Sequence, residues 1–112
     1  MKLLIVTPAY NEEQHLQSLI NSVVNQTKQP SEWIIVDDGS IDNTSNVIKQ
    51  AAIKNSWIKY LRRDKNDTID YYLSHLEAFY YGFNQRTTNY DIIMKLDSDL
   101  VLPSNYLETI IS

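Results

Sequence analysis

The chain contains no cysteine, so it holds neither a disulfide nor a thiolate metal site, a composition that fits a reducing compartment. It has no basic surplus either. Ten lysines and arginines stand against fourteen aspartates and glutamates, a formal net charge of −4. With a pI near 5.0, this argues against a nucleic-acid surface, which needs a basic stripe to meet phosphates. Long apolar runs are missing as well. The run at residues 3–6 is four residues long, where a membrane span needs about 20. It gives way at once to Tyr10, Asn11, Glu12 and Glu13, which does not read as a signal peptide. Internal repeats, low-complexity tracts and linkers are also absent. The expected location is cytoplasmic, with membrane association through some further region left open.

What is present is ordinary globular material, 43% hydrophobic and 21% charged over 112 residues. That length suffices for one domain with a real core but is short for a complete α/β enzyme. Residues 104–112 read as the opening turns of a helix without a stop signal, so residues 1–112 are expected to form a single, partial domain.

Residues 2–7 form a continuous apolar run closed by Pro8, which suits a strand covered on both faces. Asn11 is expected to cap the next helix, with Leu16, Leu19, Ile20, Val23 and Val24 recurring at helical spacing along one stripe. Residues 33–36 form a second buried strand ending in Asp37-Asp38-Gly39-Ser40, and Asp42 or Asn43 caps a second helix with Val47, Ile48, Ala51 and Ala52 inward. Residues 57–61 are a third strand, followed by a charged loop at residues 62–66. A third helix begins at Asp67 or Thr68, with Tyr72, Leu73, Leu76, Phe79, Tyr80 and Phe83 on its inner side. The fourth strand, residues 92–96, is apolar and stops at Asp97-Ser98-Asp99. Strands alternating with helices of this length predict an α/β fold with a mainly parallel sheet, a Rossmann-like three-layer sandwich.

In such sheets ligands lie beyond the carboxyl ends of strands. Three strand ends carry unusual polar groups: Pro8-Ala9-Tyr10-Asn11, Asp37-Asp38-Gly39-Ser40 and Asp97-Ser98-Asp99. Strand pleating is expected to send Asp97 and Asp99 to one side, where two hard-oxygen carboxylates suit Mg²⁺ or Mn²⁺ and, through it, the phosphates of a nucleotide. A lone pair of this kind is as readily a loop cap before Pro103. Asp38 can accept a base N–H, as a uracil or guanine edge offers, while its bland role is a solvated turn built on Gly39. Tyr10 is a stacking platform for a flat base or a residue closing the first helix. Glu12 is chiefly a helix-dipole partner. His15 and His75 read as helix-surface residues, Arg62, Arg63 and Lys65 as a solvated loop with an option on a diphosphate, and Lys95 has no role.

Taken together, Val6-Thr7-Pro8-Ala9-Tyr10-Asn11-Glu12, Val36-Asp37-Asp38-Gly39-Ser40 and Leu96-Asp97-Ser98-Asp99 resemble the amino-terminal half of family 2 glycosyltransferases with the GT-A fold, in order and across essentially the whole chain. The resemblance implies a truncated GT-A fold, a nucleotide-sugar donor, Mn²⁺ or Mg²⁺, and inversion at the anomeric carbon. It implies that Pro8 and Tyr10 line the base pocket, Asp38 bonds the base, Glu12 reaches the nucleoside, Asp97 lies near ribose or metal, and Asp99 ligates the metal. It also implies that the general base lies downstream of Ser112, since Glu108 falls in a surface helix, so no catalytic residue is expected within the chain. The expected behaviour is donor binding with little or no transfer. Ala78-Phe79-Tyr80-Tyr81-Gly82 keeps the family's alanine and glycine but has tyrosine where many members have asparagine. A truncated sheet is further expected to present an unpaired edge on the fourth strand, a route to a homo-oligomer.

Three rivals stand beside this reading. A haloacid-dehalogenase-like phosphatase fits Asp97-Ser98-Asp99-Leu100-Val101, but that signature normally opens a domain and needs partners after it, and only eleven residues follow Val101. A receiver-like acidic pocket at Asp37-Asp38 falls on the wrong strand. A non-enzymatic α/β interaction module, with every carboxylate in a solvated loop, is the third alternative.

Overall fold

The computed structural model describes residues 1–64, 71–87 and 89–111, with the side chains of Tyr71 and Tyr72 excepted. Eight elements alternate along it: β1 (Leu3–Ala9), α1 (Glu13–Val24), β2 (Glu32–Asp37), α2 (Thr44–Lys54), β3 (Ile58–Arg62), α3 (Tyr71–Asn84), β4 (Ile92–Lys95) and α4 (Tyr106–Ile111). The strands form one sheet in the order β3-β2-β1-β4, and every neighbouring pair is parallel. The expected α/β architecture is therefore present.

Period-two alternation divides the core into two layers. Leu3, Ile5, Trp33, Ile35 and Ile58 pack on one face with Leu16, Leu19 and Val23 of α1, Ile48 of α2 and Leu107 of α4. Leu4, Val6, Ile34 and Val36 pack on the other with Ala78 of α3. Trp33 is fully buried, and its indole N–H donates to Thr7 Oγ1 at 2.8 Å, so the largest core side chain leaves no polar atom unpaired.

Pro8 does not end β1, which runs on to Ala9. The Val6 carbonyl accepts from Leu96 N at 3.1 Å, whereas the Ala9 carbonyl accepts from Asp38 N at 2.8 Å. Alternation thus points the nitrogen of Pro8 toward the β4 side, just past the last paired residues, Val6 and Lys95. The missing donor falls where no ladder partner remains, and the strand tolerates it.

The third helix has the expected period but a different inner face. Leu73, Leu76 and Tyr80 are about half exposed, at 46%, 46% and 55%, and small residues face the sheet instead: Ser74, Ala78 and Gly82 are buried. Phe79 and Phe83 are only partly buried at the margin of that layer. A β-carbon added at Gly82 would come within 2.7 Å of Val36 Cγ2 and 2.8 Å of Val6 Cγ1. Both contacts are branched side chains of the central strands with no room to retreat, so Gly82 sets how closely α3 approaches. The start expected at Asp67 or Thr68 lies outside the described residues.

The fourth strand is an edge strand rather than a fully buried one. Ile92 and Met94 pack against the α1 side, while Ile93 on the other face is 42% exposed. Among the described residues its outer edge has no neighbouring strand. Segment 102–107 then folds back onto α1. Buried Gln26 donates to Pro103 O and accepts from Leu107 N at 2.9 Å, and Leu102 N donates to Ser22 Oγ at 3.1 Å.

Gly82→Ala is expected to destabilise the fold by about 1–3 kcal/mol through overpacking. Gln85→Ala, at an exposed position just past the helix, is expected to stay within about 0.5 kcal/mol. Urea denaturation midpoints at unchanged slope check both.

Candidate functional site

The chain runs β1, β2, β3 outward in one direction and then crosses to place β4 on the other side of β1. The strand order therefore reverses between β1 and β4, and the crevice outside their carboxyl ends is where such a sheet takes a ligand. Pro8 and Ala9 close β1 there, and Asp97 follows Leu96 at the end of β4.

Alternation decides which acids face which helix. Asp37 is buried on the α2 side, where its Oδ2 accepts from Arg62 Nη1 at 3.0 Å, from Tyr60 Oη at 3.3 Å and from Ser45 Oγ, and its Oδ1 accepts from Ser40 N at 2.9 Å. Asp38 points to the α3 side. Its Oδ1 accepts from Arg63 Nε at 2.8 Å and its Oδ2 from Ser74 Oγ at 2.8 Å. The two arginines thus form no solvated loop. They extend the parallel register of β2 and β3, with Arg63 N donating to the Asp37 carbonyl at 2.9 Å. Burial alone would lower the Arg63 pKa, but its bonds to Asp38 and Glu77 outweigh that and hold it above the ordinary guanidinium value. Lys65, grouped with the arginines in the sequence, lies outside the described residues.

Asp97 and Asp99 do not alternate on a strand. Regular pairing stops at Lys95, and residues 97–100 form a turn in which Leu100 N approaches the Asp97 carbonyl at 3.4 Å. Lys95 and His75, to which no role fell in the sequence, both meet Asp97: Lys95 Nζ at 2.8 Å and His75 Nε2 at 3.4 Å from Oδ1. The Lys95 ammonium holds the Asp97 carboxyl below the usual carboxylate range; partial burial opposes this and His75 adds to it. Asp99 is exposed. Because Lys95 pairs with Val6, Asp97 and Asp38 both face the α3 side of the carboxyl edge, flanking β1.

The β1–α1 loop carries Tyr10 and Glu12. Tyr10 is partly buried, and Glu12 occupies the position before α1 without capping it through its side chain. Asn11 is not the cap either. It adopts a left-handed backbone, φ 51°, and its Oδ1 accepts from Ile41 N at 3.0 Å. The cap comes from another loop: Thr44 Oγ1 accepts from Glu12 N at 2.9 Å and Asp42 Oδ2 from Glu13 N at 3.4 Å, while Asn11 N donates to Ser40 Oγ at 2.9 Å. Asp42 Oδ1 also accepts from Thr44 N at 2.9 Å, as expected of a residue opening α2, whereas Asn43 makes no side-chain cap. Two loops at the carboxyl edge are thereby tied together. His15 is exposed, as expected.

Asp97 and Asp99 offer hard carboxylate oxygens and no sulfur. Among the described residues no group of three or more His, Cys, Asp or Glu could by itself hold a metal ion. Such a donor set fits a cation like Mg²⁺ or Mn²⁺, which keeps waters and fills its shell with substrate phosphate, and does not fit an all-protein zinc cage. No helix among the described residues is long and apolar enough to cross a membrane.

A parallel α/β unit with carboxylates gathered at its switch-point crevice belongs to the class of open sheets that take their ligands at that edge. The family model for glycosyl transferase family 2 matches residues 4–112, and the chain belongs to that family. An undecaprenyl-phosphate 4-deoxy-4-formamido-L-arabinose transferase of Proteus mirabilis is 32% identical over 99% of the chain and 33% of its own length. Among solved structures, S. aureus TarS in complex with UDP superposes with a TM-score of 0.78 at 23% identity, over 98% of this chain and 31% of that one. The mannosyltransferase PcManGT from Pyrobaculum calidifontis, in complex with GDP-Man and Mn²⁺, gives a TM-score of 0.67 at 16% identity, over 99% and 32%. The chain thus spans about a third of the length of these relatives. Its fold is that of the GT-A glycosyltransferases.

The contacts of Arg62, Arg63, Ser74, His75 and Thr44, which the sequence did not reveal, join residues distant in the chain, whereas Lys95 meets Asp97 only two residues on. A signal existed for the arginines, because adjacent acids end β2 and adjacent arginines end the strand that pairs with it in parallel.

Burial would raise the Asp42 pKa, but the Thr44 hydroxyl and the backbone N–H groups of Thr44 and Glu13 outweigh it and hold it below the ordinary value. A depressed folded-state pKa contributes stability above the unfolded value, near pH 4, that is lost as the pH falls through the folded one. Asp42→Asn is therefore expected to flatten the fall of the urea midpoint between about pH 4 and pH 2. Thr44→Val is expected to cost about 1 kcal/mol at pH 7 by leaving Glu12 N uncapped.

Proposed function

We propose that these 112 residues form the donor-binding part of a nucleotide-sugar-dependent, metal-dependent, inverting glycosyltransferase. The observation that carries the reading is that Asp38 and Asp97 face the same side of the carboxyl edge on either flank of β1. Pro8 and Tyr10 line the base, Asp38 accepts its N–H, and Glu12 lies toward the nucleoside. Asp97 lies near the ribose or the cation, and Asp99 ligates the cation. When bound, Mn²⁺ or Mg²⁺ supplies Lewis-acid neutralisation of the charge that develops on the departing diphosphate. Lys95 and His75 offset the charge of Asp97 and orient it beside that position. Donor binding, rather than sugar transfer, is the activity proposed for residues 1–112, and the relatives in complex with UDP and with GDP-Man and Mn²⁺ support it.

Thermal-shift measurements with UDP-, GDP-, dTDP- and CDP-sugars, with and without Mn²⁺, test the reading. At 100 times its dissociation constant the right donor is expected to add about 2.7 kcal/mol of stability. Asp99→Ala is expected to abolish the Mn²⁺-dependent part while leaving the unliganded midpoint within about 0.5 kcal/mol. Stabilisation by none of the donors in either condition would overturn it.

A further inference from the structure

Arg63, Ser74 and Glu77, to which the proposed donor site gives no role, form a polar network behind Asp38. The Asp38 side chain is 5% exposed and that of Arg63 15%. Arg63 donates from Nε to Asp38 Oδ1, from Nη1 to Glu77 Oε2 at 3.1 Å, and from Nη2 to the Ser74 carbonyl at 2.9 Å and Ser74 Oγ at 3.2 Å. Ser74 Oγ in turn donates to Asp38 Oδ2. Each oxygen of Asp38 therefore takes one bond from the protein, through two donors that are themselves bonded to each other.

A carboxylate carries about four lone-pair sites, so this arrangement leaves acceptor capacity and removes rotational freedom. An arginine–carboxylate pair at this depth gains little net stability over an apolar pair of the same volume, because both charges must be desolvated. What it provides is direction. The guanidinium is a rigid fork, fixed from behind by Glu77 and the Ser74 carbonyl, and the helix carrying Ser74 is set against the sheet by the close approach at Gly82.

We propose that Arg63, with Ser74, is a positioning and specificity-determining residue that fixes Asp38 as an acceptor-only contact for a nucleobase bearing an N–H at the matching edge, and against one bearing an acceptor there. The inference rests on the donor-binding reading of Asp38. Uracil and guanine present the N–H, whereas cytosine presents a ring nitrogen lone pair that a fixed carboxylate oxygen repels. A freely rotating Asp38 would lose much of this contrast, because a group ordered only on binding gives up part of the interaction in entropy.

The test is isothermal titration of the full 112-residue chain and its variants with UDP, GDP and CDP in the presence of Mn²⁺. Wild type is expected to bind UDP or GDP at least about tenfold more tightly than CDP, as one buried hydrogen bond to a charged group allows. In Arg63→Ala and Ser74→Ala that preference is expected to fall toward unity, with CDP affinity nearly unchanged. Ser74→Ala keeps both charges and serves where loss of Arg63 prevents folding, and Arg63→Lys is expected to restore the preference only in part. Weakening of all three nucleotides by one common factor would make Arg63 a diphosphate ligand or a merely structural residue and overturn the proposal alone, as would an unchanged preference. Failure of wild type to bind any of the three would overturn the donor-binding reading and this inference together.

Discussion

The constraint on which the rest of the molecule depends is the parallel register of β2 and β3 at their carboxyl ends. Because the two strands leave the sheet in step, Asp37 and Asp38 meet Arg62 and Arg63 across the ladder, one pair on each face. Four charges are thereby gathered at the rim with every partner supplied by the fold. Unpaired, a carboxylate as buried as Asp37 would carry a desolvation cost of several kcal/mol. A one-residue slip would bring Leu61 or Arg63 opposite Asp37 in place of Arg62 and separate both pairs.

From that register follow the neighbouring loops. Asp37 bonds Ser40 and Ser45, which holds the turn after β2 and the start of α2. Ser40, Asp42 and Thr44 then hold the backbone of Asn11, Glu12 and Glu13. The first helix is therefore capped by residues some thirty positions later, and the loop bearing Tyr10 inherits its place from β2. On the other face Asp38 and Arg63 reach α3, which approaches the sheet through Ala78 and Gly82 rather than through its aromatic residues. The alanine and glycine of residues 78–82 acquire a packing explanation: they bring Ser74 and His75 within bonding distance of Asp38 and Asp97.

Much of this was legible in the chain and some was not. Short apolar runs bounded by breakers mark the strands, the 3.6-residue period marks the first three helices, and the three polar strand ends point to the carboxyl edge. Errors arose wherever a local signal competed with a distant partner. Asn11 has the chemistry of a cap, but a bond to Ile41 and a left-handed backbone took it elsewhere. Leu73, Leu76 and Tyr80 have the right spacing for a core, but the sheet surface beneath α3 is filled by Val6 and Val36 and admits only small residues. His75 looks unoccupied until the end of β4 is placed beside α3, and Lys95 until the turn after β4 brings the Asp97 carboxylate to its ammonium.

By itself, the order of residues determined the alternation of strand and helix, the α/β class and the family, because amphipathic periodicity and short polar motifs are local properties of the chain. Only the tertiary structure decided that β4 adds beside β1 and not β3, which face of α3 is buried, and which arginine serves which aspartate. These depend on register and on the fit between surfaces brought together over dozens of residues, and no local pattern encodes them.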